Sequence, residues 1–222
     1  MRKRTKRAMV FLMCCVMGVS FCGNLNSVSA ESVQVKVEKA QTKDAKEKEA
    51  ILSAYRNFLK KKKVKYFRVD TIKGAKMPIL FVSDERFEEM KTVLHVKLYE
   101  AKPKKKGSKA YIVKEIGEAE STSGSYELFL NNQRELLYGS HHYTGYLSMK
   151  DGVLSCDYYY SKYDKKGNET FYYVLYQGNK KIKDEKIKST IGMRKIYDAW
   201  DEMNRSFIFY KNVEKNRLRY IK

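Results

Sequence analysis

A long run of period-two alternation is the feature that most limits how this chain can fold. Between residues 64 and 130, five segments alternate apolar and polar side chains and are separated by residues typical of turns: 64–70, 79–83, 93–100, 109–116 and 126–130. Because successive side chains of a strand point to opposite faces of a sheet, this alternation predicts strands with one buried face. In the third segment, Leu94, Val96 and Leu98 would share that face.

The next part of the chain contains the clearest hairpin signal. The pair Asp151-Gly152 tolerates the positive φ angles of a tight turn, so residues 146–149 should pair with the strand that begins at Val153. A further turn leads into residues 169–176, where both faces are apolar or aromatic, as in a central strand covered on each side. With a last strand at 207–210, the expected fold is an antiparallel meander of about seven to nine strands.

Helical periodicity flanks the strands on both sides. A helix is predicted at about 47–61, with an apolar stripe and a terminal run of lysines that suits the helix dipole. Its stripe consists of Ile51, Leu52, Tyr55, Phe58 and Leu59. A second helix is predicted at about 184–203, with Asp184 as its N-cap. Its stripe consists of Ile187, Ile191, Ile196, Trp200 and Met203. The fold class is therefore α+β, with helices that cover a face or an end of the meander.

The first thirty residues have the three parts of a secretory signal peptide. Five basic residues without an acid precede a fourteen-residue apolar run, and the segment ends in small residues. Residues 1–30 are therefore expected to be a leader cleaved between Ala30 and Glu31. A retained anchor is the first alternative, but the apolar run is shorter than the roughly 17–25 residues that cross a membrane. A lipoprotein acylated at Cys22 is the second, although bulky Phe21 precedes that cysteine.

Removal of the leader would leave a basic domain without disulfides. Cys156 is the one cysteine after residue 30, so no internal disulfide can form. The leader holds five of the 46 basic residues and none of the 26 acidic ones, which leaves a net charge of +15. Residues 31–46 are polar and are expected to be a flexible lead-in, with a short strand at 33–37 as an alternative. Residues 47–222 are expected to form a single globular α+β domain, monomeric and without a membrane span.

Basic and acidic residues alternate between the successive loops that connect the first strands. If the first strands run up and down in order, the first and third loops lie at one end of the sheet, and the second and fourth lie at the other. The first pair carries Lys73, Lys76, Lys102, Lys104, Lys105, Lys106 and Lys109. The second pair carries Asp84, Glu85, Glu88, Glu89, Glu118 and Glu120. One end is therefore expected to be basic and the other acidic.

The basic residues indicate an anionic partner at the cell envelope. An exported protein rarely meets nucleic acid, whereas anionic wall polymers and acidic lipid head groups attract a strongly basic protein without specific geometry. No nucleic-acid partner is therefore predicted. The predicted polyanion contacts are Lys73, Lys76, Lys104, Lys105, Lys106 and Lys109.

Tyrosine is abundant, with 18 residues, and many of them crowd into two strands. Tyr159 and Tyr163 would lie on one strand face together with Asp157, and an exposed row of this kind can stack sugar rings. The competing interpretation is that these tyrosines pack their rings in a half-buried sheet and keep only their hydroxyls in water. The row is a candidate glycan-stacking face.

No group of residues has the pattern of a catalytic or metal site, and no cofactor is predicted. His141 and His142 are adjacent, so on a strand they would point to opposite faces and could not share one metal ion. Cys156 lies on an apolar face, where a thiol is usually a small core residue. Among the carboxylates, Asp157 is the strongest candidate for a hydrolase.

The segment 69–82 resembles a loop found in a large group of secreted proteins from clostridia-like Firmicutes. Members carry a helix, a strand, a D-x-D-G-D-G-x-P-E-L loop and hairpins rich in Tyr, Gly and Lys. Here Gly74 matches the first glycine of the loop, and Pro78 and Leu80 match its P-x-L step. The acidic positions of the loop are occupied by Thr71, Lys73 and Ala75. Because calcium needs oxygen ligands at those positions, the resemblance implies no calcium site, and it implies no known activity.

The expected function is therefore non-catalytic association with polyanions or glycans of the cell envelope by a secreted protein. Two alternatives remain open: a hydrolase of wall polymers or polysaccharides, and an extracellular domain that binds or inhibits another protein.

Overall fold

The computed structural model describes residues 30–122, 127–202 and 207–222. The predicted leader and Cys22 lie outside these residues, and so does Met203 of the second predicted stripe. Ala30 and Glu31, the predicted cleavage site, are the first two residues of a helix. No helix in the described part of the chain is long and apolar enough to cross a membrane.

The described residues form three α-helices, one 3-10 helix and eleven strands. The α-helices are α1 (Ala30–Lys61), α2 (Ser189–Ile196) and α3 (Glu214–Tyr220), and the 3-10 helix is Asp198–Glu202. The strands are β1 (Tyr66–Asp70), β2 (Ile79–Ser83), β3 (His95–Pro103), β4 (Tyr111–Glu120), β5 (Phe129–Leu130), β6 (Leu136–Ser140), β7 (Tyr143–Lys150), β8 (Val153–Tyr163), β9 (Glu169–Gln177), β10 (Lys180–Ile187) and β11 (Tyr210–Lys211). All strands lie within one compact unit, residues 41–222.

The strands form two antiparallel sheets. The first sheet has the order β11-β1-β2-β3-β4, and the second has the order β10-β9-β8-β7-β6-β5. The predicted hairpin at Asp151-Gly152 joins β7 to β8, with Lys150 opposite Val153. The α+β class and the antiparallel meander are confirmed. The structure adds that the meander divides into two sheets and that the described residues contain eleven strands rather than seven to nine.

The helix bounds differ from those predicted at both ends of the chain. Helix α1 begins at Ala30, so residues 31–46, expected to be a flexible lead-in, have helical backbone. This segment has no Gly or Pro and many Lys and Glu residues, which favour helix. The predicted helix at about 184–203 begins only at Ser189, because residues 180–187 pair with β9 as an edge strand. Asp184 therefore lies in β10, whose charged sequence has no apolar alternation by which to recognise a strand.

The core is arranged in four layers. Apolar residues of α1, such as Leu52 and Leu59, pack against Leu80 and Phe67 on the outer face of the first sheet. The inner faces of the two sheets pack against each other; the residues that meet there include Phe81, Val96, Leu98, Leu136, Leu147 and Cys156. The outer face of the second sheet is covered in part by α2 and the 3-10 helix.

The loops between the first strands alternate as predicted. Since β1 to β4 are successive antiparallel neighbours, loops 71–78 and 104–110 lie at one end of the first sheet, which we call the basic end. The opposite end is less acidic than predicted. There Glu88 forms an ion pair with Arg86, and Lys211 lies 3.8 Å from the same carboxylate.

The first loop is tied to the second sheet. The backbone N–H of Lys73 donates to the carbonyl of Arg134 (2.9 Å), and the N–H of Met149 donates to the carbonyl of Lys73 (2.7 Å). Gly74 has a φ of +75°, and a Cβ there would lie 1.9 Å from the carbonyl oxygen of Met149. Only glycine combines this left-handed backbone with so close an approach. The loop therefore carries Lys73 to the second sheet.

Candidate functional site

The connection from β3 to β4 is a short turn that presents four exposed lysines. We call Lys104, Lys105, Lys106 and Lys109 the lysine turn. The turn is held by backbone bonds from the N–H of Lys104 to the carbonyl of Ala110 (2.8 Å) and from the N–H of Ser108 to the carbonyl of Lys105 (2.9 Å). None of the four ammonium groups forms an ion pair with a described residue. Their positive charge is therefore not neutralised locally.

The other predicted polyanion contacts differ in their surroundings. Lys76 is exposed at the same basic end. Lys73 is paired with Glu135 across the two sheets, with 2.6 Å between Nζ and Oε1. Lys102, which precedes the lysine turn, is paired with Glu100 (2.5 Å). The lysines of the lysine turn thus have no ion-pair partner among the described residues, whereas Lys73 is paired with Glu135 at the junction with the second sheet.

The predicted stacking row lies on the outer face of the second sheet, but its members do not all meet. Tyr159 is half-buried, and its ring centroid lies 5.7 Å from that of Tyr146 and 5.1 Å from that of Tyr173. The hydroxyl of Tyr173 donates to Oδ1 of Asp157 (2.6 Å). Tyr163 is 55% exposed and contacts the ring of His142 instead, at the far end of β8. The structure therefore groups Tyr159 and Asp157, and Tyr163 stands apart.

Lysine side chains lie over the rings of this group. Lys195 of α2 places its Nζ 4.8 Å from the ring centroid of Tyr146 and 5.6 Å from that of Tyr159. Lys183 of β10 lies 5.6 Å from the ring centroid of Tyr173. Ammonium groups at this distance are attracted to the negative face of an aromatic ring. The outer face is thus a mixed cationic and aromatic surface rather than a bare stacking platform.

A groove of about 410 Å³ adjoins this surface. We call it the α2 groove, because α2 and the following 3-10 helix form one wall. Tyr146 lies in it, and its charged and amide lining consists of Lys73, Asn131, Gln133, Glu135, Arg194, Lys195 and Asp198. Burial and the negative charges of Asp157 and Glu135 raise the pKa of Tyr159 to about 12, and Arg194 opposes the rise. Tyr159 is not part of the lining, but its ring packs against that of the groove-lining Tyr146.

The wall opposite α2 is the turn between β5 and β6, and it is tightly constrained. Asn131 donates through Nδ2 to Oε2 of Glu135 (2.9 Å), and the N–H of Glu135 donates to Oδ1 of Asn131 (2.9 Å). Arg134 reaches back to the first loop, where it donates to the carbonyl of Thr71 (3.0 Å) and pairs with Asp70. These bonds hold the carboxylate of Glu135 in place beside Lys73.

The carboxylate of Asp70 anchors this junction electrostatically. Burial favours the protonated acid, but the hydrogen bond and charge of Arg68, together with Arg134, hold the pKa of Asp70 below its usual range. The junction between the first loop and the β5–β6 turn is thus an ion-paired network at neutral pH.

A second group of tyrosines, which the sequence did not single out, lies on the inner face of the second sheet. Tyr160 and Tyr172 are stacked, with centroids 5.0 Å apart and ring planes at 14°. Tyr158 contacts Tyr143 at 5.6 Å and Tyr176 at 6.5 Å. The alternation that puts Cys156 on the inner face also puts Tyr158 and Tyr160 there, so this signal was present in the sequence.

The cysteine and histidine side chains that could take part in catalysis or metal binding contact neighbouring protein groups. Cys156 is buried, its Sγ lies 3.4 Å from the hydroxyl of Tyr138, and burial raises the pKa of its thiol to about 11. Nε2 of His95 lies 3.4 Å from a carboxylate oxygen of Glu118. No three His, Cys, Asp or Glu side chains among the described residues are grouped so as to hold a metal ion.

Comparison of the chain with protein-family models, with curated proteins and with solved structures finds no match. The resemblance to secreted proteins of clostridia-like Firmicutes therefore stays a prediction.

Proposed function

We propose that this protein is secreted and associates, without catalysis, with anionic polymers or glycans of the cell envelope. The observation that carries the proposal is the lysine turn, with four exposed ammonium groups within six residues and no carboxylate paired to any of them. The net charge of +15 expected for residues 31–222 has the same sign and adds a long-range attraction.

The chemistry of lysine favours a polymer with many diffuse negative charges. Lysine presents a compact, strongly hydrated charge on a flexible stem, whereas arginine provides the planar fork that reads a single carboxylate or phosphate. Exposed charges of this kind are screened within about 8 Å at physiological ionic strength. Association through the lysine turn should therefore weaken steeply as salt is added.

The test is retention of the exported protein on purified cell-wall sacculi at increasing sodium chloride. The variant Lys105→Glu/Lys106→Glu reverses two charges of the lysine turn. The matched control, Lys165→Glu/Lys166→Glu, makes the same charge change in the exposed turn between β8 and β9. We expect the first variant to elute at clearly lower salt than the native protein, and the control to elute close to it.

Three outcomes would contradict the proposal. Equal loss of retention in both variants would show that net charge alone is responsible, without a defined surface. Retention that does not respond to salt would exclude a charge-held complex. Release of soluble saccharides from the sacculi by the protein would instead favour a hydrolase, and loss of that release on Asp157→Asn would assign the activity.

A further inference from the structure

The α2 groove differs from the lysine turn in being a walled site built by four parts of the chain. The first loop contributes Lys73, the β5–β6 turn contributes Gln133 and Glu135, β7 contributes Tyr146, and α2 contributes Arg194 and Lys195. Its volume of about 410 Å³ is within the range of small-molecule sites, about 300–1,000 Å³. A groove of this size can hold one unit of a polymer, whereas the lysine turn can only attract the polymer's charge.

The groove is lined by three cations and by the carboxylates of Glu135 and Asp198, so its formal net charge is +1 (3 − 2). These charges are not equally available to a ligand. Lys73 is engaged by Glu135, whose side chain is only 15% exposed. Lys195 is half-buried and lies over the rings of Tyr146 and Tyr159. Arg194 is exposed and forms no ion pair with any described residue. The guanidinium of Arg194 is thus the group free to take a carboxylate or phosphate in a two-point contact.

One polar group of the groove suits the hydroxyl groups of a sugar. The amide of Gln133 is exposed, and it both donates and accepts hydrogen bonds. The carboxylate of Glu135 is already engaged by Lys73 and Asn131.

Tyr146 is only 7% exposed, and Tyr159 does not line the groove, so a sugar finds little open ring surface here. Lys195 also lies over the rings of both tyrosines, so a neutral sugar would have to compete with its ammonium group. An anionic substituent on the sugar would instead be attracted to Lys195 and Arg194.

We infer that the α2 groove binds a saccharide unit that carries a carboxylate or phosphate group, with the anion at Arg194 and Lys195 and a sugar hydroxyl at Gln133. The inference deepens the proposed function and rests on it for the source of the ligand in the envelope. Binding in the α2 groove does not depend on the lysine turn, so experiments can refute the inference and the proposed function independently.

The test is calorimetric titration of the full secreted protein with three short probes: an oligogalacturonate, an oligomer of glycerol phosphate bearing glucose, and a neutral malto-oligosaccharide. Trp200, which lies next to the groove-lining Ala199 and is the one tryptophan of the chain, provides a parallel fluorescence signal. We expect at least one anionic probe to bind about tenfold or more tightly than the neutral probe. The carboxylate and phosphate probes distinguish the two sources of the anion, and preference for either supports the inference.

Two variants locate the binding. Arg194→Gln should weaken the preferred anionic probe by about tenfold. The matched control Lys188→Gln removes one positive charge immediately before α2 and outside the groove, and it should change binding less than twofold. Both should retain the native circular dichroism spectrum, because both side chains are exposed.

The outcomes separate this inference from the proposed function. Binding of short probes that survives Lys105→Glu/Lys106→Glu, while retention on sacculi is lost, would support both. Equal affinity for neutral and anionic probes, equal loss in Arg194→Gln and Lys188→Gln, or no binding of any probe at millimolar concentration would each overturn the inference. None of these three results would alter salt-sensitive retention through the lysine turn.

Discussion

Replacing Tyr55 by Phe tests how α1 is held against the first sheet. Tyr55 is fully buried, yet its hydroxyl meets three backbone groups, one in the residue before β2 and two in β3. It donates to the carbonyl of Pro78 (2.8 Å), lies 3.3 Å from the carbonyl of Tyr99, and accepts from the N–H of Ala101 (3.1 Å). Burial accordingly raises the pKa of this phenol well above its usual range.

The expected cost follows from what the substitution removes. Phe keeps the buried ring, so the apolar contribution of residue 55 is nearly unchanged. The N–H of Ala101 and the carbonyl of Pro78 lose their partner in a place that water does not reach, and each unsatisfied buried group costs about 1–3 kcal/mol. After some relaxation, we expect Tyr55→Phe to reduce the free energy of unfolding by about 2–4 kcal/mol. For a domain of this size, that is a fall in Tm of roughly 5–12 °C.

The assay is urea-induced unfolding followed by circular dichroism, with Tyr172→Phe as the matched control. Tyr172 is half-buried in β9, and its hydroxyl has no hydrogen-bond partner in the part of the chain that the structure describes. The same chemical change should therefore cost less than about 0.5 kcal/mol there. If the two variants were equally stable, the hydroxyl of Tyr55 would not hold the helix, and the reasoning would be refuted.

Three further predictions concern the second sheet. Gly192→Ala should lower the free energy of unfolding by about 1–2 kcal/mol and weaken probe binding in the groove. The added Cβ would lie 2.3 Å from Cγ of Phe171, and this overpacking costs more than the gain in helix propensity of about 1 kcal/mol. Increased stability of the variant in denaturant titrations would contradict this prediction. The thiol of Cys156 should react with a chromogenic disulfide only as fast as the protein unfolds, whereas rapid reaction of the native protein would contradict its burial. Because burial raises the pKa of Tyr158 to about 12, its contribution to stability should be complete below pH 10 and be lost as the pH rises through about 12. The protein should therefore unfold between pH 10 and about 12, and tyrosine ionisation, followed by absorbance at 295 nm, should be complete only above pH 10. Complete tyrosine ionisation near pH 10 in the folded protein would disprove the prediction.

Local patterns in the sequence were sufficient for most elements. The apolar stripe of Ile51, Leu52 and Tyr55 predicts a helix buried on one side, and these residues face the first sheet. The Asp151-Gly152 turn predicts that residues 146–149 pair with the strand that begins at Val153, and this pairing is confirmed. Both signals depend on residues close together in the chain, so they can be read without knowing the rest of the fold. The order of the lysine loops also follows from the sequence, once successive strands are taken to be antiparallel.

Elements without an apolar pattern were misread. Strand β10 lies at a sheet edge and is charged except at Ile182 and Ile187, so its pairing with β9 rather than its composition makes it a strand. The predicted helix cap at Asp184 is consequently wrong, because Asp184 lies in β10. The polarity of residues 31–46 predicts a flexible lead-in, although the same composition suits the helix that is observed.

Local patterns along the chain specify the secondary structure of most core segments, the charge of the loops and the face on which each strand residue lies. The packing of distant segments is what pairs Lys73, from a loop of the first sheet, with Glu135, places Lys73 and Tyr146 in one groove, and lays Lys195 over the rings of Tyr146 and Tyr159. Periodicity records which side of an element is buried, whereas the partner it is buried against depends on how two sheets and a helix pack together. The candidate groove exists only in that packing.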